Sequence, residues 1–227
     1  MHILKNLFIV VFLSFLFSIK GEAQTTEQSD FSGLKKCTVF SAGDDNVNSY
    51  RIPSLLTTKD GTLLVFCEAR RDSWRDKSRT DIVVKRSEDT GKTWSVMQDL
   101  TQGITGAYMD PTPILDSITG RIFLFTTFWP SEDHSGTKNR AILITSDDNG
   151  KTWSSPVDVT STIIPAGYHI VGFGPGAGLQ MSGKQFKERL VLPTRVVDSE
   201  RKSAHNVAIY SDNHVTLCGR LSQNRSV

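Results

Sequence analysis

The chain has 227 residues, of which 38% are hydrophobic and 22% are charged, a composition typical of a globular protein with a sizeable core. Its formal net charge is only +2, and no run of basic residues could neutralise a nucleic-acid backbone. These properties argue against a nucleic-acid partner and indicate a surface of mixed charge.

The first 23 residues have the pattern of a secretory signal peptide. Lys5 precedes an apolar segment at residues 7–19, and the small residues Gly21 and Ala23 stand at the −3 and −1 positions of a cleavage site. An uncleaved membrane anchor is the alternative, but the apolar segment is shorter than the ~20 residues a transmembrane helix needs. We therefore expect export to the periplasm, cell surface, lysosome or medium, with residues 24–36 as a polar lead-in and no later membrane span.

Three cysteines would remain in the mature chain: Cys37, Cys67 and Cys218. An odd number predicts at least one cysteine without a partner in the same chain. Cys67 lies in an apolar strand pattern and is interpreted as a small buried residue. Neither the cysteines nor the histidines have the spacing of metal ligands, so no metal site and no cofactor are predicted.

Short β-branched or aliphatic segments separated by turn residues predict β-strands, and no segment has the periodicity of a helix. One short strand is predicted at residues 37–41. A first set of four follows at residues 52–58, 62–68, 81–87 and 93–98. A second set is predicted at residues 112–116, 121–128, 140–146 and 152–157, and a third begins at residues 178–181, 188–194 and 206–211.

A turn motif recurs after about 60 residues. Residues 87–94 read Ser-Glu-Asp-Thr-Gly-Lys-Thr-Trp, residues 146–153 read Ser-Asp-Asp-Asn-Gly-Lys-Thr-Trp, and an incomplete third copy begins at Ser211. In such a turn the Asp side chain bonds backbone N–H groups, the Gly takes a positive φ, and the Trp packs between strands. Asp89 and Asp148 are therefore interpreted as turn braces in preference to catalytic carboxylates.

Four strands in each period indicate an all-β fold, a β-propeller of four-stranded antiparallel blades. On this interpretation residues 37–227 form one propeller domain of about three blades.

The sequence Arg51-Ile52-Pro53, followed by Glu68-Ala69-Arg70 and the two complete turn motifs, resembles the sialidase (neuraminidase) family. The resemblance extends from Cys37 to Ser211. It implies a six-bladed propeller with a site at its central axis, and hydrolysis of terminal α-linked sialic acid from glycans with retention of configuration. It also implies a Tyr nucleophile activated by a Glu, which suits a substrate that carries its own carboxylate at the anomeric carbon.

The resemblance assigns roles to three residues near the start of the domain. Arg51 resembles the first of three arginines that bind the substrate carboxylate, for which a guanidinium fork is suited. Arg70 resembles the arginine beside the sugar's 4-hydroxyl group, with the neighbouring Arg71 as the alternative. Asp76 resembles the acid/base aspartate, which would protonate the leaving oxygen and then activate water; Asp72 is the alternative candidate.

Three further residues are predicted in the second repeat. Asp110, in Met109-Asp110-Pro111, resembles the family's second aspartate near the 4-hydroxyl group; a turn Asp before Pro is the alternative. Met109, with Phe128 or Trp129, is a candidate for the apolar pocket that receives the N-acetyl methyl group. For the aromatic residues, burial in the core is the alternative.

The sequence departs from the family in its extent. About three blades are present, whereas the other two carboxylate-binding arginines, the Tyr nucleophile and its Glu belong to the remaining half of the family's propeller. Tyr168 and Tyr210 do not stand in matching contexts. The sequence therefore predicts a C-terminally truncated exo-α-sialidase of low or no activity by itself, with sialylated glycans as substrates. The alternative is a non-catalytic carbohydrate-binding or adhesion propeller, and the oligomeric state is left open.

Overall fold

The structure is a computed structural model that describes residues 36–102, 106–130, 135–200 and 203–212. The predicted signal peptide, almost all of the lead-in and Cys218 lie outside these residues. The described part contains twelve strands, one turn of 3-10 helix at Asp44–Asn46 and one four-residue helix, α1 (Thr160–Ile163). The predicted all-β character is confirmed.

The strands form three successive antiparallel groups, named the first, second and third repeats. The first repeat contains β1 (Ser49–Thr57), β2 (Leu63–Arg70), β3 (Thr80–Ser87) and β4 (Gln98–Asp99). The second contains β5 (Ala107–Leu115), β6 (Ile122–Trp129), β7 (Arg140–Ser146) and β8 (Val157–Asp158). The third contains β9 (Tyr168–Phe173), β10 (Leu179–Gln180), β11 (Leu190–Asp198) and β12 (Ala204–Ser211).

One parallel pairing, between Thr80 and Ala107, joins the first two repeats into an eight-stranded sheet. In the third repeat, β9 and β10 pair with successive parts of β11. The sheets do not close into a ring within the ranges that the structure describes.

Several predicted strands were wrong or displaced. Residues 37–41 form no strand; Phe40 instead packs against Tyr50, with ring centroids 4.8 Å apart. The predicted fourth strands at 93–98 and 152–157 shrink to β4 and β8, because the turn motifs occupy their first residues. The prediction missed β9, and the segment at 178–181 pairs only over β10.

The core lies between neighbouring repeats, because successive side chains of a strand point to opposite faces. In β6, Ile122 and Leu124 join a cluster with residues of the first repeat, whereas Phe123 and Phe125 join a cluster with residues of the third. A smaller cluster on the opposite face of the first repeat includes the buried Cys67. The strands of the first repeat and those of the second therefore pack on both faces.

The two complete turn motifs have the predicted geometry. Asp89 Oδ1 accepts the N–H groups of Lys92 (3.1 Å) and Thr93 (2.9 Å). Asp148 does the same for the backbone of Lys151 and Thr152, at 3.0 and 2.9 Å. Both carboxylates are thus occupied in holding their turns closed.

The first strands of the first two repeats are interrupted at corresponding places. The register of β1 shifts between Arg51 and Ser54, and that of β5 between Met109 and Thr112. Each interruption contains a residue of positive φ followed by proline, Ile52 at 52° in β1 and Asp110 at 57° in β5. Proline lacks a backbone N–H and is tolerated in a sheet at such bulges. The candidate site is built around these two bulges.

Candidate functional site

The two neighbouring arginines point to opposite faces of the sheet, Arg70 as the last residue of β2 and Arg71 as the residue that follows it. Arg70 shares a face with Leu64 and Phe66, which pack toward the second repeat, and its side chain is 1% exposed. Arg71 points to the opposite face, where it forms ion pairs with Asp81 (2.8 Å) and Asp99. The structure therefore places Arg70 beside the other candidate residues and gives the alternative, Arg71, a separate ion-pair network.

Each of the three nitrogens of the Arg70 guanidinium has a hydrogen-bond or ion-pair partner. Its Nε and Nη2 donate to Oε2 of Glu68 at 3.0 and 2.7 Å. Its Nη1 donates to the backbone carbonyl of Trp74 at 2.6 Å and forms an ion pair with Asp76 at 2.7 Å. Arg70 thus anchors the loop at residues 71–79 to the sheet.

Asp76 lies in this loop between two arginines. Its Oδ1 is 2.7 Å from Arg70 Nη1 and 3.4 Å from Arg51 Nη1. The Asp76 side chain is 66% exposed and that of Arg51 is 45% exposed, so both are accessible to a ligand. Asp72, the alternative acid, pairs with Arg79 at 3.2 Å.

Asp110 reaches the same cluster from the second repeat. Its backbone N–H donates to Oε1 of Glu68 at 3.0 Å, which is possible because the bulge in β5 turns this N–H out of the ladder. Burial, reinforced by the negative charges of Glu68 and Asp76, raises the pKa of Asp110 to about 7, and Arg70 opposes this shift.

The predicted apolar residues separate into two environments. Phe128 is buried in the core against Tyr108, with ring centroids 4.9 Å apart. Trp129 is half-buried, and Lys77 of the loop at residues 71–79 lies over its ring, with Nζ 4.0 Å from the centroid. Met109 is half-buried, and its backbone carbonyl accepts a hydrogen bond of 2.6 Å from Thr126. Trp129 is therefore the aromatic residue that contacts the loop carrying Asp76.

Two residues that contribute to this arrangement were not among the predicted site residues. Glu68 is fully buried and contacts both Arg70 and Asp110. A charged residue within the otherwise apolar run of β2 was a signal that could have identified it, since buried charges are normally paired. Lys77 had no comparable signal, because its contact with Trp129 joins two repeats.

The described part of the chain contains no group of three or more His, Cys, Asp or Glu residues arranged to hold a metal ion. Among the described residues, no helix has the length and apolar character needed to cross a bilayer.

Comparison with known proteins identifies the class. The model of the BNR repeat-like domain family matches residues 52–226. A sialidase of Bacteroides fragilis is 33% identical over 182 residues, covering 70% of this chain and 32% of the relative. A sialidase of Paraclostridium sordellii is 31% identical over 197 residues, covering 78% of this chain and 48% of the relative. Sialidase-2 of Mus musculus is 36% identical over 165 residues, covering 65% and 42%.

Solved structures agree. The Hadza microbial sialidase Hz136 has a TM-score of 0.69 and 30% identity, covering 78% of this chain and 38% of that structure. A leech intramolecular trans-sialidase has a TM-score of 0.67 at 21% identity, covering 81% and 45%, and supports the fold alone. The chain belongs to the sialidase family and carries an Asp-box (BNR-repeat) domain of that family. It spans about a third to a half of the length of the bacterial and mouse relatives.

Proposed function

We propose that this chain contributes the first part of the active site of an exo-α-sialidase, which hydrolyses terminal α-linked sialic acid from glycans with retention of configuration. The observation that carries the proposal is the convergence of Arg51, Arg70, Asp76 and Asp110. These four residues come from two repeats and surround the two bulges.

Arg51 is the proposed contact for the substrate carboxylate. Its guanidinium is accessible, and its ion pair with the exposed Asp76 is long, at 3.4 Å. Exposed ion pairs contribute little, about 0–1 kcal/mol, so a planar carboxylate can replace Asp76 at modest cost. A bidentate guanidinium–carboxylate pair is stronger and more directional than the pair it replaces.

Asp76 is the proposed acid/base group. In the first step its proton passes to the glycosidic oxygen while the bond to the anomeric carbon breaks and the enzyme nucleophile bonds to that carbon. In the second step Asp76 accepts a proton from the water that displaces the nucleophile, which restores both groups. The family resemblance implies that the nucleophile that bonds to the anomeric carbon is a Tyr.

Arg70 and Asp110 are the proposed partners of the sugar's 4-hydroxyl region, with Met109 and Trp129 near the N-acetyl group. Because Arg70 is buried beneath Asp76, it becomes accessible to a ligand when the Asp76 side chain moves toward the scissile bond. The three repeats are proposed as three blades of a six-bladed propeller. Residues 1–23 are proposed as an export signal, which would bring the protein to glycans outside the cytoplasm.

The test is release of sialic acid from sialyllactose by the protein purified from its source, so that any part of the propeller beyond this chain is present, followed by NMR to establish the anomer released first. We expect the α-anomer, and we expect Asp76→Asn to lower kcat/KM by about 100-fold or more, since general acid catalysis contributes 10²–10⁴. Asp72→Asn makes the same change in the same loop and is the matched control, expected to retain full activity.

An Asp76→Asn protein of normal activity would refute the assignment of the acid. Saturable binding of sialyllactose without any hydrolysis by the wild type would instead support a carbohydrate-binding protein. The absence of both binding and hydrolysis would refute the proposal for the site as a whole.

A further inference from the structure

A single buried carboxylate, that of Glu68, connects the two halves of the candidate site. Its Oε2 accepts two hydrogen bonds from Arg70, and its Oε1 accepts the backbone N–H of Asp110. Both oxygens are therefore in use, one toward the first repeat and the other toward the second. The side chain is 0% exposed, so these contacts form without competition from bulk water.

The corresponding position of the second repeat shows what the contact between repeats requires. Glu68 pairs across β1 and β2 with Arg51, and Thr127 pairs across β5 and β6 with Met109, in each case the last residue before the bulge. The hydroxyl of Thr127 accepts the backbone N–H of Phe173 in the third repeat at 3.2 Å. A neutral hydroxyl therefore suffices to accept an N–H group from the next repeat.

The negative charge at Glu68 consequently needs another explanation. Burying a carboxylate is costly unless a cation and hydrogen bonds compensate for lost water, and burial raises the pKa of Glu68. The compensating cation is Arg70, whose Nε and Nη2 both donate hydrogen bonds to Glu68. The third nitrogen, Nη1, is therefore directed at the loop at residues 71–79, where it bonds the Trp74 carbonyl and pairs with Asp76.

Asp110 depends on the same carboxylate through its backbone. It has a φ of 57°, a conformation that costs free energy for a residue other than glycine unless its surroundings stabilise it. The hydrogen bond from the Asp110 N–H to Glu68 supplies part of that stabilisation. It also fixes the backbone of Asp110, and with it the position of the Asp110 Cα–Cβ bond.

We propose that Glu68 is the positioning residue of this site, holding the Arg70 guanidinium and the bulged backbone of Asp110 at a fixed separation for one sugar ligand. The ligand in this statement, sialic acid, rests on the proposed function. Glu68 itself does not contact the ligand, and it acts through Arg70 and Asp110.

The test compares the wild-type protein with Glu68→Gln. Glutamine has nearly the same shape, but only one end of its amide accepts hydrogen bonds, so it cannot serve Arg70 and the Asp110 N–H together. Three quantities are measured: the Kd for sialic acid, the carboxyl titration of Asp110 by ¹³C NMR, and the Nε–H signal of Arg70 by ¹⁵N NMR. Glu88→Gln, at an exposed glutamate paired with Arg86, is the matched control.

We expect Glu68→Gln to raise the Kd by about 10- to 100-fold, the loss typical of hydrogen bonds to a charged group. We also expect the pKa of Asp110 to fall, because the charge of Glu68 contributes to raising it. The Arg70 Nε–H signal should shift and exchange faster with water. A purely structural role would lower stability and, through the lost charge, move the Asp110 titration, but it would leave the Kd for sialic acid unchanged. Glu88→Gln should change none of the three.

If Glu68→Gln does not fold, Glu68→Asp replaces it. That variant keeps the charge but is shorter by one methylene, so it should lose one of its two partners and bind sialic acid more weakly. An unchanged Kd, Asp110 titration and Arg70 signal in the folded variant would overturn the inference. If the wild type does not bind sialic acid, the proposed function fails, and the Arg70 Nε–H signal, which needs no ligand, still decides whether Glu68 holds the Arg70 guanidinium.

Discussion

Gly172 of β9 faces the carboxylate of Asp110 in β5 so closely that a Cβ at position 172 would lie 2.9 Å from Oδ2 of Asp110. This contact joins the third repeat to the site formed by the first two. The Asp110 carboxylate can occupy its observed position because residue 172 has no side chain.

Gly172→Ala is expected to displace the Asp110 side chain and to weaken binding of sialic acid. The backbone at residue 172 does not have the positive φ that requires glycine, so the effect is steric. Overpacking of this kind costs about 1–3 kcal/mol of stability. Binding isotherms and urea midpoints measure the two effects.

The control for this prediction is Gly183→Ala, where the new Cβ meets no atom closer than 3.8 Å. In an Asp110→Gly background, Gly172→Ala should cost much less stability than it does in the wild type, because glycine tolerates the φ of 57° and removes the carboxylate that clashes. Additive losses in the double variant would contradict the steric explanation.

Asp110 is also expected to make stability depend on pH. Its pKa of about 7 in the folded protein exceeds the ~3.9 of an unfolded Asp, so the folded state holds this proton more tightly. The resulting stabilisation is complete below about pH 4 and is lost as the pH rises toward 7. Asp110→Asn cannot titrate, and asparagine tolerates positive φ, which makes it the appropriate comparison.

The measurement is the urea midpoint of both proteins between about pH 4 and about pH 7. The wild type should lose stability relative to Asp110→Asn across this window. Parallel curves would show that Asp110 is not the responsible group.

The two turn motifs should produce the opposite pH dependence. Hydrogen bonds from Thr93 and Ser87 lower the pKa of Asp89 to about 2. Burial alone would raise the pKa of Asp148, but hydrogen bonds from Thr152 and Ser146 outweigh it and lower the pKa to about 2. A lowered pKa gives stability that is present above about pH 4 and is lost as the pH falls toward 2.

We therefore expect Asp89→Asn and Asp148→Asn each to be less stable than the wild type at neutral pH, with the difference shrinking in acid. Thermal unfolding between about pH 2 and about pH 7 measures this, and Asp72→Asn serves as an exposed control. Binding of sialic acid should be unchanged in both variants, because neither carboxylate contacts the site. A loss of binding without a loss of stability would contradict the role of turn brace.

Lys77 should restrain the loop that carries Asp76. A cation over an indole ring contributes about 0.5–1 kcal/mol at an exposed position, which corresponds to a two- to five-fold change in local opening. Lys77→Met keeps the length but removes the charge, so amide hydrogen exchange in residues 72–79 should accelerate by about this factor. Lys77→Arg retains a cation over Trp129, so its amides in this loop should exchange at nearly the wild-type rate. Equal exchange rates in Lys77→Met and Lys77→Arg would show that the contact does not restrain the loop.

Much of the candidate site could be located from the sequence, because its residues stand in short local patterns. Arg51 stands two residues before a proline and Asp110 directly before one, each in the first strand of a repeat, and Arg70 ends a recognisable strand. The choice between Arg70 and Arg71 as the residue near Asp76 could not be made from spacing alone. It followed from the partners of each side chain, since Arg70 bonds Glu68 and Asp76 whereas Arg71 pairs with Asp81 and Asp99.

The two shortened fourth strands have a common cause. Residues 93–98 and 152–157 have strand-like composition, but the Asp89 and Asp148 turns engage the backbone of their first residues. In contrast, β9 contains two residues, Tyr168 and His169, that precede an apolar run too short to be distinguished from a loop. Its pairing with β11 across more than twenty residues has no local signature.

The sequence by itself determined the all-β class, the repeat period and the chemistry of the turns, because these depend on alternation and on residues close together in the chain. Only the tertiary structure decided that Glu68 joins Arg70 to Asp110, that Gly172 accommodates the Asp110 carboxylate, and that Lys77 contacts Trp129. These contacts connect different repeats, or depend on which face of a strand a side chain occupies. Such contacts form only when sheets pack face to face and when bulges turn single N–H groups out of the hydrogen-bond ladder.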